Sequence, residues 1–323
     1  MKALCVFSGG LDSMLAAALI RDQGIDVLAL FFETPFFTSK RAKKSAQSMD
    51  LPFKAVNITT RHLEVVKHPK HGYGSNMNPC IDCHTLMFRI AGEMCEQEGA
   101  HFVLTGEVLG QRPMSQNKKA LSLVISESGL NDLLLRPLSA KCLPVTIPED
   151  RGWVKRELLM GFQGRSRKPQ MALARKLNIT EYPSPAGGCL LTEKGFSRRL
   201  HDLLSYRSNL EPRELELLKL GRHFRITPET KLVVGRNKRE NQAIQALSSH
   251  EDVILTTTAV PGPTVLVFGD ISGTRLELAE AITVAYSDAD DNQVTPVSVT
   301  GKGGEKTVMA RGRDKKEFKH YMV

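Results

Sequence analysis

Short apolar runs alternate with helically periodic segments through the first half of the chain. ALCVF is followed by MLAAALIRDQ, VLALFFE by KRAKKSAQSM, and FKAVNI by HLEVV. Apolar runs of strand length separated by amphipathic stretches predict βαβ units. Such units build a parallel sheet with helices on both faces and bind ligands at the carboxyl ends of the strands. HGYGSNMNPC holds too many turn formers for a regular element and reads as a loop before a helix that starts near Ile81. HFVLTGE predicts another strand, GQRPMSQ an irregular stretch and LLLRPL a further strand, and helical patterns return from Trp153 to Leu177. Near Ser205 the pattern changes, and KLVVGR, VILTTT and TVLVFG read as strands rich in Val and Thr, separated by Gly and Pro. The expected fold class is α/β, a doubly wound parallel sheet over residues 1–200 with a second, smaller α+β domain over residues 205–323.

A length of 323 residues accommodates two domains and a sizeable core. No run of about 18 apolar residues occurs, so no transmembrane helix and no membrane partner are expected. MKALCVF followed by MLAAALI mimics a signal peptide, but Gly9, Gly10 and Asp12 interrupt it and no cleavage site follows. Six cysteines without a secretory signal point to a reducing compartment, the cytoplasm, where thiols serve metal or redox chemistry rather than staples. The formal charge of +9 favours a polyanionic partner such as RNA.

Gly9 and Gly10 directly follow the first strand, and a helix begins at Asp12. Without a Cβ the backbone N–H groups can approach a phosphate, and the helix dipole favours the anion. The loop is neither a Walker loop nor GxGxxG. On its residues alone it is either an anion loop or a Gly-rich turn capped by Asp12 and Ser13. Ser8-Gly9-Gly10-Leu11-Asp12-Ser13 resembles the signature of PP-loop ATP pyrophosphatases, which split ATP between its α and β phosphates. That resemblance implies an adenine nucleotide alpha hydrolase-like fold. It further implies that Gly9, Gly10 and Leu11 offer amides and Ser8 and Ser13 hydroxyls to ATP, while Asp12 orients the loop and Mg²⁺.

Cys80 and Cys83 form a C-x-x-C at the start of a helix, a place that suits a thiolate or a metal, and Cys189 follows Gly187-Gly188 in SPAGGCLL. Three thiolates and His84 would complete a zinc site, and three with an open position suit a [4Fe–4S] cluster. NPCIDCHTLMF followed by HFVLTGE resembles the first catalytic-cysteine segment of tRNA 2-thiouridylases, the match falling on Cys83. SPAGGCLLTEKGFSRRL resembles their second, with Gly187 and Phe196, the match falling on Cys189. TGEVLGQRPMSQ followed by LLLRPL resembles tRNA 4-thiouridine synthetases and implies that Gly106, Glu107, Gly110 and Gln111 lie near the nucleotide. Cys80 departs from the two-cysteine enzymes and brings the chain closer to cluster-dependent tRNA thiolases. Two readings stay open: Cys80, Cys83 and Cys189 as ligands of a [4Fe–4S] cluster, or Cys189 as a persulfide carrier resolved by Cys83. His68, His71 and His84 are candidate acids, bases or ligands near the pair. Cys5, Cys95 and Cys142 lie in apolar settings and read as structural.

VVGRNKRENQAIQAL followed by PGPTVLVFG resembles the NFACT RNA-binding domain. Arg236, Lys238 and Arg239 lie in one turn, where they either address phosphates or form a solvated charged surface. Together the resemblances imply an ATP-dependent tRNA sulfurtransferase, with Asp12, Cys80, Cys83 and Cys189 catalytic. Its cofactors would be ATP and Mg²⁺, and its partners tRNA or another RNA and a sulfur donor protein or sulfide. The alternatives are a PP-loop ligase acting on a small-molecule acid and an RNA-binding factor that uses ATP as a switch.

Overall fold

Residues 2–6 alternate between two cores: Ala3 and Cys5 pack on one side of the strand, Leu4 on the other. That division organises the first of two compact units, Met1–Thr192 and Glu193–Val323, into which the computed structural model divides the chain. Residues 1–184 and 189–323 are described. In the first unit β1 (Lys2–Val6), β2 (Asp26–Glu33), β3 (Phe53–Asn57), β4 (Phe102–Thr105) and β5 (Leu134–Leu135) form a sheet of order β3-β2-β1-β4-β5. Its four pairings are all parallel. The helices are α1 (Leu11–Arg21), α2 (Lys40–Gln47), α3 (Thr59–Lys67), α4 (Cys80–Gln97), α5 (Lys118–Ser128), α6 (Ile147–Asp150) and α7 (Lys168–Lys176).

Helix α1 is apolar on nearly every side, with Met14 to Ile20 all buried, and it lies in the core with Leu173 and Ala174 of α7. Leu86, Phe88 and Ile90 of α4 pack with Leu30 and Val103 on the opposite face of the sheet. This is the expected doubly wound arrangement, since strands buried on both faces read as continuous apolar runs. The chain passes from β3 at one edge to β4 beyond β1. The crevice between the carboxyl ends of β1 and β4 is therefore a topological switch point, the place where open α/β sheets bind ligands. Between Trp153 and Leu177 regular α-helix starts only at Lys168. Gly152 and Gly164, with φ of +65° and +84°, keep the preceding stretch in turns and one short 3-10 segment.

The second unit begins with α8 (Lys194–Tyr206), ahead of the change in composition near Ser205, and continues with α9 (Pro212–Leu217). Next come β6 (Arg222–Arg225), β7 (Lys231–Val234), α10 (Lys238–Ala246), β8 (Val253–Thr257), β9 (Val265–Phe268), α11 (Thr274–Ala285), β10 (Val294–Gly301) and β11 (Gly304–Arg311). Its sheet has the order β11-β10-β8-β9-β7-β6 and is antiparallel throughout. Ala279 and Ile282 of α11 pack with Leu255 and Val297 on one face, while Ile244 of α10 joins Val233 and Leu266 on the other. The α+β character follows from strands and helices that alternate without parallel crossovers.

Candidate active site

The loop after β1 is shaped by contacts that only glycine permits. Gly9 has φ +73°, and a Cβ there would stand 2.5 Å from the Cα of Ala42 in α2. A Cβ on Gly106, just after β4, would stand 2.5 Å from the backbone nitrogen of Ser13. The end of β1 is thereby pressed onto α2, and the end of β4 onto the first turn of α1. Gly10 is the N-cap of α1, and no side chain caps it, so the helix presents its amino end uncovered. Ser13 Oγ donates to the Gly10 carbonyl at 2.8 Å and lies 3.3 Å from Ser8 Oγ, and Ser45 Oγ of α2 donates to the Gly9 carbonyl at 2.9 Å. The Leu11 side chain is buried in the core, so only its backbone can face a ligand.

Asp12 accepts a 2.9 Å hydrogen bond from Gln111 Nε2 through Oδ2, whereas its Oδ1 is buried without a partner. Burial pushes the carboxyl pKa up, against the hydrogen bond from Gln111 and the nearby charges of Arg167 and Arg112. A buried carboxylate oxygen without a donor suits a cation. Gly110 (φ +76°) turns the chain that carries Gln111 toward Asp12, and its amide donates to the Gln116 carbonyl at 2.7 Å.

Glu107, expected near the nucleotide, follows Gly106 at the end of β4. It is buried, with Oε1 2.8 Å from His84 Nδ1 and Oε2 accepting from Arg136 Nε at 2.9 Å. Burial would raise its pKa, but Arg136 and His84 outweigh that and hold it down at about 2. The carboxylate thus ties the end of β4 to the first turns of α4 and to the LLLRPL strand, which fixes the helix that carries the thiols.

Cys80 and Cys83 occupy the first turn of α4. Asn78 Nδ2 donates to Cys80 Sγ at 2.9 Å, and Cys83 Sγ is buried 3.2 Å from His62 Nε2 of α3. Cys189 is carried by a turn in which its carbonyl accepts from the Thr192 amide at 2.8 Å, and Asn76 Nδ2 donates to the Thr192 carbonyl at 2.6 Å. The three thiols come together: burial raises the Cys83 pKa most, and Cys189, Cys80 and Asp82 each push it further. Burial likewise raises Cys80, opposed by Asn78, Arg112 and Ser115, and raises Cys189, opposed by backbone amides of its turn. All six cysteines are free. Among the described residues no group of three or more His, Cys, Asp or Glu side chains is arranged to hold a single metal ion. Gly187, which figures in the thiouridylase-like motif, and its neighbour Gly188 lie outside the described residues.

Of the histidines expected near the pair, His84 is engaged by Glu107, His71 lies 3.1 Å from Glu127, and His68 is exposed. The one that touches a thiol is His62, fully buried and packed against Phe36 and Phe37, with its pKa lowered by burial to about 4. Nothing in the HLEVV run marked it, because the contact depends on how α3 meets α4. Arg112 was also missed, although it stands within TGEVLGQRPMSQ. Its charge lowers the pKa of both Asp12 and Cys80, and the phosphate loop and the thiol helix meet through Gly106, which lies against Ser13, and Glu107, which is hydrogen-bonded to His84.

In the second unit Gly235 and the Pro-Gly element meet through Asn241. Its Nδ2 donates to the Gly262 carbonyl at 3.1 Å, and its Oδ1 accepts from the Thr264 amide at 3.1 Å. A Cβ on Gly235 would stand 1.9 Å from that Oδ1. Asn237 caps α10 by accepting from the Glu240 amide at 3.0 Å, and Arg236 is bound by Glu240. The turn is thus built for architecture, with Lys238 and Arg239 left exposed.

An open parallel sheet with a glycine loop at its switch point and free thiols on the same unit is the arrangement that the resemblance to PP-loop ATP pyrophosphatases and tRNA thiouridylases implies. Comparison with known proteins agrees: residues 1–141 match the family of thiamine biosynthesis protein (ThiI), and residues 221–322 match the NFACT protein RNA binding domain. A probable tRNA sulfurtransferase of Natranaerobius thermophilus is 32% identical over 146 residues, 43% of this chain and 35% of that protein. One of Oceanobacillus iheyensis is 30% identical over 146 residues, 42% of this chain and 34% of that protein. The chain thus spans about a third of the length of these curated relatives. A 4-thiouridine synthetase–RNA complex with bound ATP aligns with TM-score 0.36 and 24% identity, over 55% of this chain and 51% of that one. No described helix is long and apolar enough to cross a membrane.

Proposed function

We propose that the chain is a cytoplasmic ATP-dependent tRNA sulfurtransferase, forming AMP and pyrophosphate. The observation that carries this reading is the join between loop and thiols: Gly106 lies against Ser13 of the phosphate loop, and Glu107, the next residue, is hydrogen-bonded to His84 beside Cys83. The uncapped start of α1, with Ser8, Gly9, Gly10, Leu11 and Ser13, receives the β and γ phosphates. The unpartnered Oδ1 of Asp12 suits Mg²⁺. A nucleobase carbonyl oxygen attacks the α phosphorus and pyrophosphate departs. Sulfide sulfur then attacks the activated carbon, the C–O bond breaks, and AMP leaves with the former carbonyl oxygen. Arg112 and Arg167 are the cations available to the negative charge that grows on the phosphates.

The thiols suit iron as a donor set, because in a four-iron cluster each thiolate binds its own iron and the three need not converge on one point. Cys80, Cys83 and Cys189 would hold such a cluster. Bound there, it would supply a Lewis-acidic iron with affinity for sulfide. The contact between His62 and Cys83 favours a second reading, in which Cys189 carries a persulfide. Cys83, its Sγ held 3.2 Å from His62, loses its proton to solvent as its sulfur attacks the inner sulfur of the Cys189 persulfide; a Cys83–Cys189 disulfide forms, and the hydrosulfide released attacks the activated carbon. A dithiol reductant then restores both thiols.

Mass spectrometry of tRNA nucleosides from cells with and without the gene tests substrate and reaction together. Loss of one thionucleoside is expected. Persistence of all of them, with no redundant enzyme present, would overturn tRNA thiolation and leave the small-acid ligase.

A further inference from the structure

Helix α2 carries Lys40, Arg41, Lys43 and Lys44, all exposed, while Ala42, Ser45 and Ala46 are buried. At about 3.6 residues per turn the four cations share one arc of the helix and the three small residues share the other. Among the described residues no ion pair engages any of the four, and no acidic residue occupies the first turn. Lys40 faces Lys43 and Lys44 at the spacings where helical side chains meet, so like charges repel. Lys40 and Arg41 also stand at the helix end where the dipole already favours anions. Both features oppose folding of an isolated α2 and concentrate positive potential on its outer face.

The position of α2 gives that potential a target. Ser45 Oγ donates to the Gly9 carbonyl at 2.9 Å, and Ala42 is the residue that Gly9 must accommodate. The inner face of the helix is fastened to the phosphate loop while its outer face carries the charge. We infer that this outer face docks the phosphodiester backbone of the RNA whose base is presented to the loop. The inference rests on RNA being the substrate. Point charges spread along about 6 Å of helix address phosphates without reading bases, so they position the RNA rather than select its sequence.

The test uses the full chain, an unmodified tRNA transcript and a titration of salt. Replacing Lys40, Arg41, Lys43 and Lys44 together by Gln should weaken binding by about tenfold or more near physiological salt and lower the salt slope by roughly 2 to 3. ATP affinity should stay unchanged. Exchanging the same positions as Lys→Arg and Arg→Lys should keep both affinity and slope, since charge and not side-chain shape is at work. Unchanged tRNA affinity and slope in the Gln variant would overturn the inference while leaving RNA as the substrate. Weakened ATP binding with intact tRNA binding would overturn it too, assigning the cations to the nucleotide. A wild-type chain that binds no tRNA would remove the functional reading and this inference together.

Discussion

In α2 four cations stand exposed and without an ion pair among the described residues, whereas in the turn before α10 Arg236 is held by Glu240, with Lys238 and Arg239 beside it. Both stretches are basic in sequence, and the second carries the resemblance to an RNA-binding domain. What separates them is where the nearest carboxylates fall. Glu240 lies in the first turn of α10 and reaches back to the Arg236 amide and guanidinium just ahead of the helix cap. The segment KRAKKSAQ offers no such partner. Charge counted along a chain is therefore not the charge a ligand meets. Each stretch is also fastened by a glycine: Gly9 lets α2 close on the phosphate loop, and Gly235 lets Asn241 knit the turn to Gly262 and Thr264.

Breaking the first fastening should have the largest effect. Gly9→Ala places a Cβ 2.5 Å from Ala42 Cα on backbone of positive φ, so the loop must move. Displacement of about 1 Å costs on the order of 100-fold in rate, which tRNA-dependent pyrophosphate release would record. Next comes the buried counterpart of the Arg236 pair. Glu107→Gln leaves Arg136 buried without its counter-charge and should cost about 3–5 kcal/mol in urea unfolding at neutral pH. The pH dependence has a definite sign. The folded pKa of Glu107 is depressed to about 2 from an ordinary 4.5, so its contribution is complete above 4.5 and is lost as pH falls toward 2. The stability gap between wild type and Glu107→Gln should narrow across that window.

Gly235→Ala should cost about 1–3 kcal/mol in thermal unfolding, because the new methyl displaces Asn241 from both of its hydrogen bonds. The same variant should leave ATP binding intact, in contrast to Gly9→Ala. Arg236→Gln removes a pair open on the arginine side only, and Glu240 keeps the Gly221 and Arg236 amides, so the cost should be only about 0.5–1 kcal/mol. If it weakened tRNA binding as much as the loss of the α2 cations, the contrast between the two stretches would fail.

Much of the first unit could be read from the sequence because its information is local. The βαβ rhythm, the glycine loop after β1 and the start of α4 depend on periodicity and turn chemistry within short windows. The C-x-x-C was visible for the same reason. What escaped depends on elements meeting across the fold. The contact of His62 with Cys83 arises where α3 meets α4. Glu107 was legible as a residue near the nucleotide at a strand end, but not its ion pair with Arg136, which reaches it from just beyond β5. That arginine, alone in the apolar run LLLRPL, carried a signal of its own, since a charge within a buried strand needs a partner. The Gly-Arg-Asn turn was legible as a motif, but its motif residues serve capping and packing.

If the phosphate loop activates the RNA base and the thiols deliver sulfur, the two activities can be separated. Pyrophosphate and thionucleoside are followed together, from the full chain given ATP, tRNA and sulfide, in wild type and in a variant with Cys80, Cys83 and Cys189 all replaced by Ser. The variant should release pyrophosphate in a tRNA-dependent manner and form no thionucleoside; thionucleoside formed at the wild-type rate would contradict this division of labour.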